Sequence, residues 1–339
     1  MDPIKWKLKL HEAFTTTDFP YLFGQVMDRQ LMSAYTINVA DWKQFVQVRN
    51  VADLRKVEMH KVQGQDQVLD RVTERGNYPE ARSTDAYYEL QVFKRGRIFD
   101  IDLESVINDV LGAFRDIPSR FANAVIRTEN KIITGLYASA SGPNTNLYGA
   151  TITDVDGSTV TNLGTRKLTV KSLQNTLAAM RQQTDASGEP ILARGAVLVV
   201  PPALEWTARQ ILESGTLIMT GTSNIIMGST NIVANAGLTL VVDPYLPIVD
   251  ISANKDTTWY VFCKPAEGAA LTAGYLNGYE SPEIAMKSSN KILVNGGTAD
   301  VMSGDFESDS IRMRVRHFFG GVACDPRYTY ANDGTGDNS

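Results

Sequence analysis

Apolar and polar positions follow two rhythms along this chain, one helical and one strand-like, separated by stretches with neither. From Leu103 the apolar residues Val106, Ile107, Val110, Leu111 and Phe114 fall at three-and-four spacing, which predicts an amphipathic helix. Asp116 then reads as an N-cap with Pro118 in the first turn of a longer helix. Phe121, Val125, Thr128, Ile132, Gly135 and Leu136 repeat along one face of it, Arg120, Arg127, Glu129 and Lys131 fill much of the rest, and it ends near Tyr137. A further helix carries Leu173, Thr176, Leu177 and Met180 and stops at the turn-forming DASGEP. The run Ala196-Val197-Leu198-Val199-Val200, bounded by Gly195 and Pro201, has the continuous apolar character of a fully buried strand. Pro202 opens a helix with Leu204, Trp206, Ile211 and Leu212, and buried strands return at 238–242 and 259–263. Helix, strand, helix, strand, strand makes one mixed α/β unit. Strict alternation over 308–318 points Ile311, Met313 and Val315 one way and Arg312, Arg314 and Arg316 the other.

The remaining stretches lack such order. Residues 1–50 hold eight aromatic side chains but no long periodic segment, which reads as an extended arm or, equally, as an N-terminal layer of the core. Residues 53–85, DLRKVEMHKVQGQDQVLDRVTERGNYPEARSTD, are dense in both signs of charge with sparse valines and leucines. The alternation suggests two strands, and Gly64 and the Gly76-Asn77-Tyr78-Pro79 cluster supply turns. A two-stranded projection without its own core is marginal alone in water, so it needs a neighbour to lie on. A strand follows at Tyr88, Leu90 and Val92, with Gly96 reading as its break, and another is expected at 284–287. Residues 138–166 read as a loop or a pair of short strands, residues 214–236 look loop-like, and the ending ANDGTGDNS looks polar and mobile.

Composition narrows the function. With 43% apolar and 21% charged residues among 339, the chain can fill a sizeable core. A formal net charge of −5 gives no overall basic excess for neutralising phosphates. Cys263 and Cys324 are too few for a disulfide framework and are expected to be buried thiols. The start MDPIKWKLKLHEAF lacks a signal-peptide core, and no run of about 18 apolar residues is present; a protein made and folded in a cytoplasm is expected. No phosphate loop, dinucleotide fingerprint or nucleophile elbow occurs. The histidines, His11, His60 and His317, lie in no metal-binding spacing; His60 and His317 read as surface or interface residues. No catalytic, cofactor-binding or metal-ligating residues are expected, so no cofactor and no enzymatic activity.

The order of parts resembles the tailed-phage major capsid family, whose fold is shared by encapsulins and the capsid floor of herpesviruses. The phrases that carry it are GAVLVVPPALEWTARQIL, NIVANAGLTLVVDPYL, SPEIAMKSSN and, most specific, DSIRMRVRHFFGGVACDPRY, an alternating arginine strand followed by glycine and Asp-Pro. The resemblance implies an α+β tailed-phage major capsid fold. Its parts would be an N-terminal arm (1–53), an extended β-hairpin loop (54–92), a peripheral domain with a long spine helix (93–170), an axial α/β domain (171–280), return strands of the peripheral domain (281–330) and a mobile tail (331–339). It further implies copies of itself in pentamers and hexamers, an icosahedral virion shell enclosing DNA without sequence-specific contact, a portal, and possible decoration proteins. Some relatives begin with a cleaved scaffolding segment; none precedes Trp6, so a separate scaffolding protein is expected.

Inter-subunit contacts are expected from Arg55, Lys56, Glu58, Asp70, Arg71, Glu74 and Arg75 in the projection and from Arg312, Arg314 and Arg316. An encapsulin-type compartment is the alternative of the same fold. A cytosolic α/β enzyme and a phage tail or adhesion protein are further ones; the first lacks a motif, and the second is at odds with two clear amphipathic helices.

Overall fold

The structure is a computed structural model that describes residues 18–37, 41–63, 72, 84–102, 117–220, 226–287, 306 and 310–336. In chain order the elements are α1 (Asp18–Ile37), β1 (Gln47–Val51), β2 (Val57–Gln63), β3 (Thr84–Leu90), β4 (Phe93–Asp102) and α2 (Ile117–Tyr137). Short strands β5 (Ala138–Ser139), β6 (Gly142–Pro143), β7 (Ile152–Thr153), β8 (Thr159–Val160) and β9 (Leu163–Gly164) lead to α3 (Val170–Arg181) and β10 (Gly195–Val200). Then come α4 (Glu205–Glu213), β11 (Thr216–Thr220), β12 (Ile226–Thr230), β13 (Thr239–Val242), α5 (Leu246–Val249), β14 (Trp259–Cys263), β15 (Leu271–Leu276), β16 (Glu283–Met286), β17 (Ser310–Ala323) and β18 (Thr329–Asn332). The chain folds as two compact units. The first draws on residues 1–40, 93–129 and 275–319, the second on 41–92, 130–274 and 320–339.

In the first unit β17 pairs antiparallel with β4 from Ser310↔Asp102 to Phe319↔Phe93, and with β16 at Glu283↔Arg316 through Met286↔Met313. The period of two turns Ile311, Met313 and Val315 to one face. There they are buried with Met27 and Leu31 of α1 and Ile117, Phe121, Ala122 and Val125 of α2. Gly96 does not end a strand, as expected from sequence, but sits inside β4. A Cβ there would come 2.6 Å from the Val315 carbonyl oxygen, so glycine permits the close pairing. Residues 18–37 are helical rather than extended: Met27 and Leu31, one turn apart, supply a narrow buried stripe that sparse periodicity concealed.

In the second unit the order β13-β10-β14-β18-β9 places β10 in the interior, parallel to β13 and antiparallel to the central β14. Both faces are covered, so Val197 to Val200 and all of β14 are buried. α3 packs through Leu173 and Met180 against this sheet's core. Its start is fixed by a capping box: the Ser172 amide donates to the Thr169 hydroxyl (3.1 Å) and the Thr169 amide to the Ser172 hydroxyl (2.8 Å). Residues 216–220 and 226–230, expected to be loop, form the β11–β12 hairpin instead. The polar ending is anchored as far as Gly336 rather than free. Ala331 and Asn332 are buried in β18, Asn332 Nδ2 donates to Thr176 Oγ1 (3.1 Å), and the Gly336 amide donates to the Thr165 carbonyl (2.6 Å).

Candidate functional site: the root of a charged hairpin

β2 and β3 pair antiparallel from Val57↔Leu90 to Gln63↔Thr84. The pleat sorts their side chains. One face carries Met59, Lys61, Ala86, Tyr88 and Leu90, and it turns into the second unit: Met59, Ala86 and Leu90 are buried and Lys61 and Tyr88 half-buried. The other face carries Glu58, His60, Asp85, Tyr87 and Glu89, all exposed.

The inward face ends in a buried ion cluster. Lys61 Nζ lies 2.8 Å from Asp154 Oδ2 and 3.3 Å from Asp156 Oδ2 and also pairs with Asp325 Oδ2. Arg327, fully buried, meets the same three oxygens, with Nη1 at 3.2 Å from Asp154 and 3.3 Å from Asp325, and Nη2 at 2.8 Å from Asp156. Nη2 also donates to the Ser158 hydroxyl, and the Tyr88 hydroxyl donates to Asp154 Oδ1 (2.8 Å). The carboxylates divide their labour. Each Oδ1 accepts a backbone amide of its own turn: Val155 on Asp154 (2.8 Å), Ser158 on Asp156 (2.9 Å), Arg327 on Asp325 (3.0 Å). Each Oδ2 is left for the cations. Burial opposes charge on Lys61, but Asp325 and Asp154 outweigh it and hold the ammonium above its ordinary pKa. Burial, reinforced by Asp325 and Asp154, pushes the Tyr88 phenol far up, so it stays a donor. Among the described residues no group of His, Cys, Asp and Glu is placed to hold a metal ion; the three carboxylates here are already engaged by Lys61 and Arg327.

None of Lys61, Tyr88, Asp154, Asp156, Asp325 and Arg327 was singled out from sequence as a site residue. The available signals were the Asp-Val-Asp-Gly-Ser turn at 154–158 and the Asp-Pro at 325–326, both turn-forming carboxylates next to a strand.

The residues that were singled out fall in three places. Arg55 and Lys56 precede β2: Arg55 is exposed, 4.0 Å from Asp53, and Lys56 pairs with Glu89 at 2.5 Å. Glu58 is on the outward face, 3.7 Å from His60, which also meets Asp85 at 3.1 Å. Asp70, Arg71, Glu74 and Arg75 lie outside the described residues. On the outer face of β17, Arg312 pairs with Asp100 (3.1 Å) and Arg316 with Glu283 (2.5 Å), the latter also over the rings of Tyr279 and Phe318; Arg314 is exposed between them.

His60 is exposed, as expected. His317 is not a surface residue. It continues the parity of Ile311, Met313 and Val315 rather than that of the arginines, so β17 carries it inward. It is buried with Nε2 2.8 Å from Glu129 Oε1, to which the Tyr35 hydroxyl also donates (2.6 Å). Burial and the Glu129 carboxylate push the Tyr35 phenol far up. Cys263 and Cys324 are free and buried, as their number and setting suggested. No helix among the described residues is long and apolar enough to cross a membrane.

A family model described as phage capsid protein matches residues 87–332, and the chain belongs to that family. No curated protein matches it. Solved structures show the same fold at low identity. The chain is similar to a protein of "Gordonia phage Cozz" (13% identity, TM-score 0.50, 85% of this chain and 84% of that one) and to one of "Mycobacterium phage Adephagia" (10%, 0.50, 89% and 88%). It is also similar to "Capsid of empty GTA particle computed with C5 symmetry" (10%, 0.52, 86% and 89%). The chain is a major capsid protein, a structural subunit located in the virion capsid.

Proposed function

We propose that the chain assembles through pentamers and hexamers into an icosahedral shell enclosing phage DNA. It does so in the host cytoplasm with a separate scaffolding protein and a portal, and without catalysis of its own. In this reading residues 54–92 are the extended loop that crosses an adjacent copy, 117–137 the spine helix, and 171–280 the axial domain around which rings close. Arg55, Lys56, Glu58, Asp70, Arg71, Glu74, Arg75 and the Arg312–Arg316 strip would supply contacts between copies. Heterologous contacts that close on themselves yield rings and shells rather than filaments.

The observation that carries the reading is the hairpin: its inward face is fixed on its own unit by Lys61 and Tyr88 while its outward face presents the exposed Glu58, His60, Asp85, Tyr87 and Glu89. Such a face gains little from folding alone and more from a complementary partner. Negative-stain electron microscopy of the purified chain, with and without its scaffolding protein, tests the proposal. Closed shells or rings of five and six support it; a small monomer or dimer in both conditions refutes it.

A further inference from the structure

The first unit contains a groove of about 660 Å³ between β4 and α2 whose lining is strongly basic. Its position follows from register. Arg95 pairs with His317 and Arg97 with Val315, so both arginines share the face of β17 on which α2 packs. On α2, Arg120, Ala124, Arg127 and Thr128 recur at helical spacing and line the facing wall. Lys94 completes a set of five cations, and the described lining residues include no carboxylate. None of Lys94, Arg95, Arg97, Arg120 and Arg127 makes an ion pair or side-chain hydrogen bond among the described residues. That contrasts with the opposite face of the same sheet, where Arg312 and Arg316 are paired within the chain. Five cations without a paired carboxylate among the described residues, in a chain of net charge −5, are a local exception to its overall balance. Their mutual repulsion disfavours the empty groove and favours an anionic occupant.

We propose that this groove binds the phosphate backbone of nucleic acid, without sequence preference. The inference rests on the shell-forming reading above, because an enclosing subunit is what brings DNA to it. Four of the five cations are arginines, whose planar fork matches phosphate oxygens. Arg120 and Arg127 stand two helical turns apart, roughly 10 Å, and Arg95 and Arg97 roughly 7 Å along the strand, so the groove holds several phosphates of one strand rather than a single anion. The one ring among its described lining residues is the His317 imidazole, which is buried and held by Glu129 and so is not free to stack on a base; backbone contact without sequence reading is therefore the form of binding assigned. An acidic polypeptide would want apolar anchors, and only Ala124, Val125 and Val315 are present.

The experiment uses the full-length chain before shell formation and follows, by fluorescence anisotropy, a labelled duplex of about 30 base pairs across about 50–200 mM salt. Binding weakens steeply with salt and is equal for unrelated sequences. Arg120→Gln/Arg127→Gln, both exposed on α2, keeps the fold by circular dichroism. It lowers the log–log salt slope by about 2 and the affinity on the order of 50-fold at about 0.1 M salt. Lys131→Gln, an exposed cation on α2 outside the groove, leaves the slope unchanged. An unchanged slope in the double variant overturns the proposal, as does a poly-glutamate of equal charge competing as well as DNA. A chain that forms no shells but loses duplex binding in the double variant sinks the assembly reading and leaves the groove assignment standing.

Discussion

Lys61→Met is the perturbation whose consequence the structure sets most tightly. Lys61 and Arg327 together face Asp154, Asp156 and Asp325. Removing the ammonium leaves three carboxylates sharing one guanidinium in a nearly dry site. Breaking a buried pair by deleting one partner costs about 3–5 kcal/mol, on the order of 10 °C in melting midpoint for a unit of this size. Thermal melts by circular dichroism measure it. Asp325→Asn keeps Oδ1 as acceptor for the Arg327 amide and removes one negative charge. In the double variant, Lys61→Met/Asp325→Asn, two carboxylates face one cation, so it is more stable than the two single losses added together. The pH dependence has a definite sign. Lys61 has its folded pKa raised, so its contribution is fully present below the unfolded value of about 10.4 and is lost as pH rises through the folded one. Wild type therefore loses stability above about pH 10.5 more steeply than Lys61→Met. A Lys61→Met protein within about 0.5 kcal/mol of wild type, or strict additivity in the double variant, would refute the account.

Other expectations follow from single features. Glu129→Ala strands the Tyr35 hydroxyl and His317 Nε2 in a buried site and costs about 2–5 kcal/mol, read by urea titration. Gly320→Ala drives a Cβ into the Gln91 backbone carbonyl, which cannot swing away as a side chain could; a loss of roughly 1–3 kcal/mol or an insoluble product is expected, measured by melting and soluble yield. Burial pushes the thiols of Cys324 and Cys263 up to about 11 and about 12, so a thiol reagent at neutral pH modifies neither in the folded chain and both after unfolding. Reversing Arg71 and Arg75 to Glu leaves the melting curve unchanged and prevents shell formation, checked by electron microscopy; normal particles would remove those residues from the assembly contacts.

What was legible in the sequence is what periodicity controls. The stripe of Phe121 and Val125 located α2, the run 196–200 located the interior strand β10, and alternation at Ile311, Met313 and Val315 assigned the faces of β17. His317 shows how narrow the margin is: counted with its arginine neighbours it reads as surface, counted by parity it is core, and the strand follows parity. α1 and β15 escaped notice for different reasons. Among the described side chains the first shows only Met27 and Leu31 buried, too few to show a period; the second, Leu-Thr-Ala-Gly-Tyr-Leu, interrupts its buried apolar residues with small and polar ones and does not read as an apolar run. The ion cluster was illegible because Lys61, Asp154, Asp156, Asp325 and Arg327 come from three distant stretches of chain, and only the folded sheet brings them within 3.3 Å.

That cluster also bears on why the hairpin needs ions at its root when buried pairs are often replaceable by apolar packing. Simple replacement is blocked here, because each aspartate spends one oxygen capping its own turn. A leucine at 154, 156 or 325 would orphan a backbone amide as well as delete a charge, and the turns at 154–158 and 325–327 would lose their shape together. The second oxygens then turn three separate turn caps into one receptor for the side chain that β2 delivers. Apolar contact would hold β2 on the unit at many angles. Three Oδ2 atoms around one ammonium, cross-braced by a guanidinium, accept few positions of Lys61, and with Tyr88 fixed to Asp154 the two strands are held at two points. A hairpin root held at two points keeps one orientation on its unit, which the proposed contact with a neighbouring copy would require.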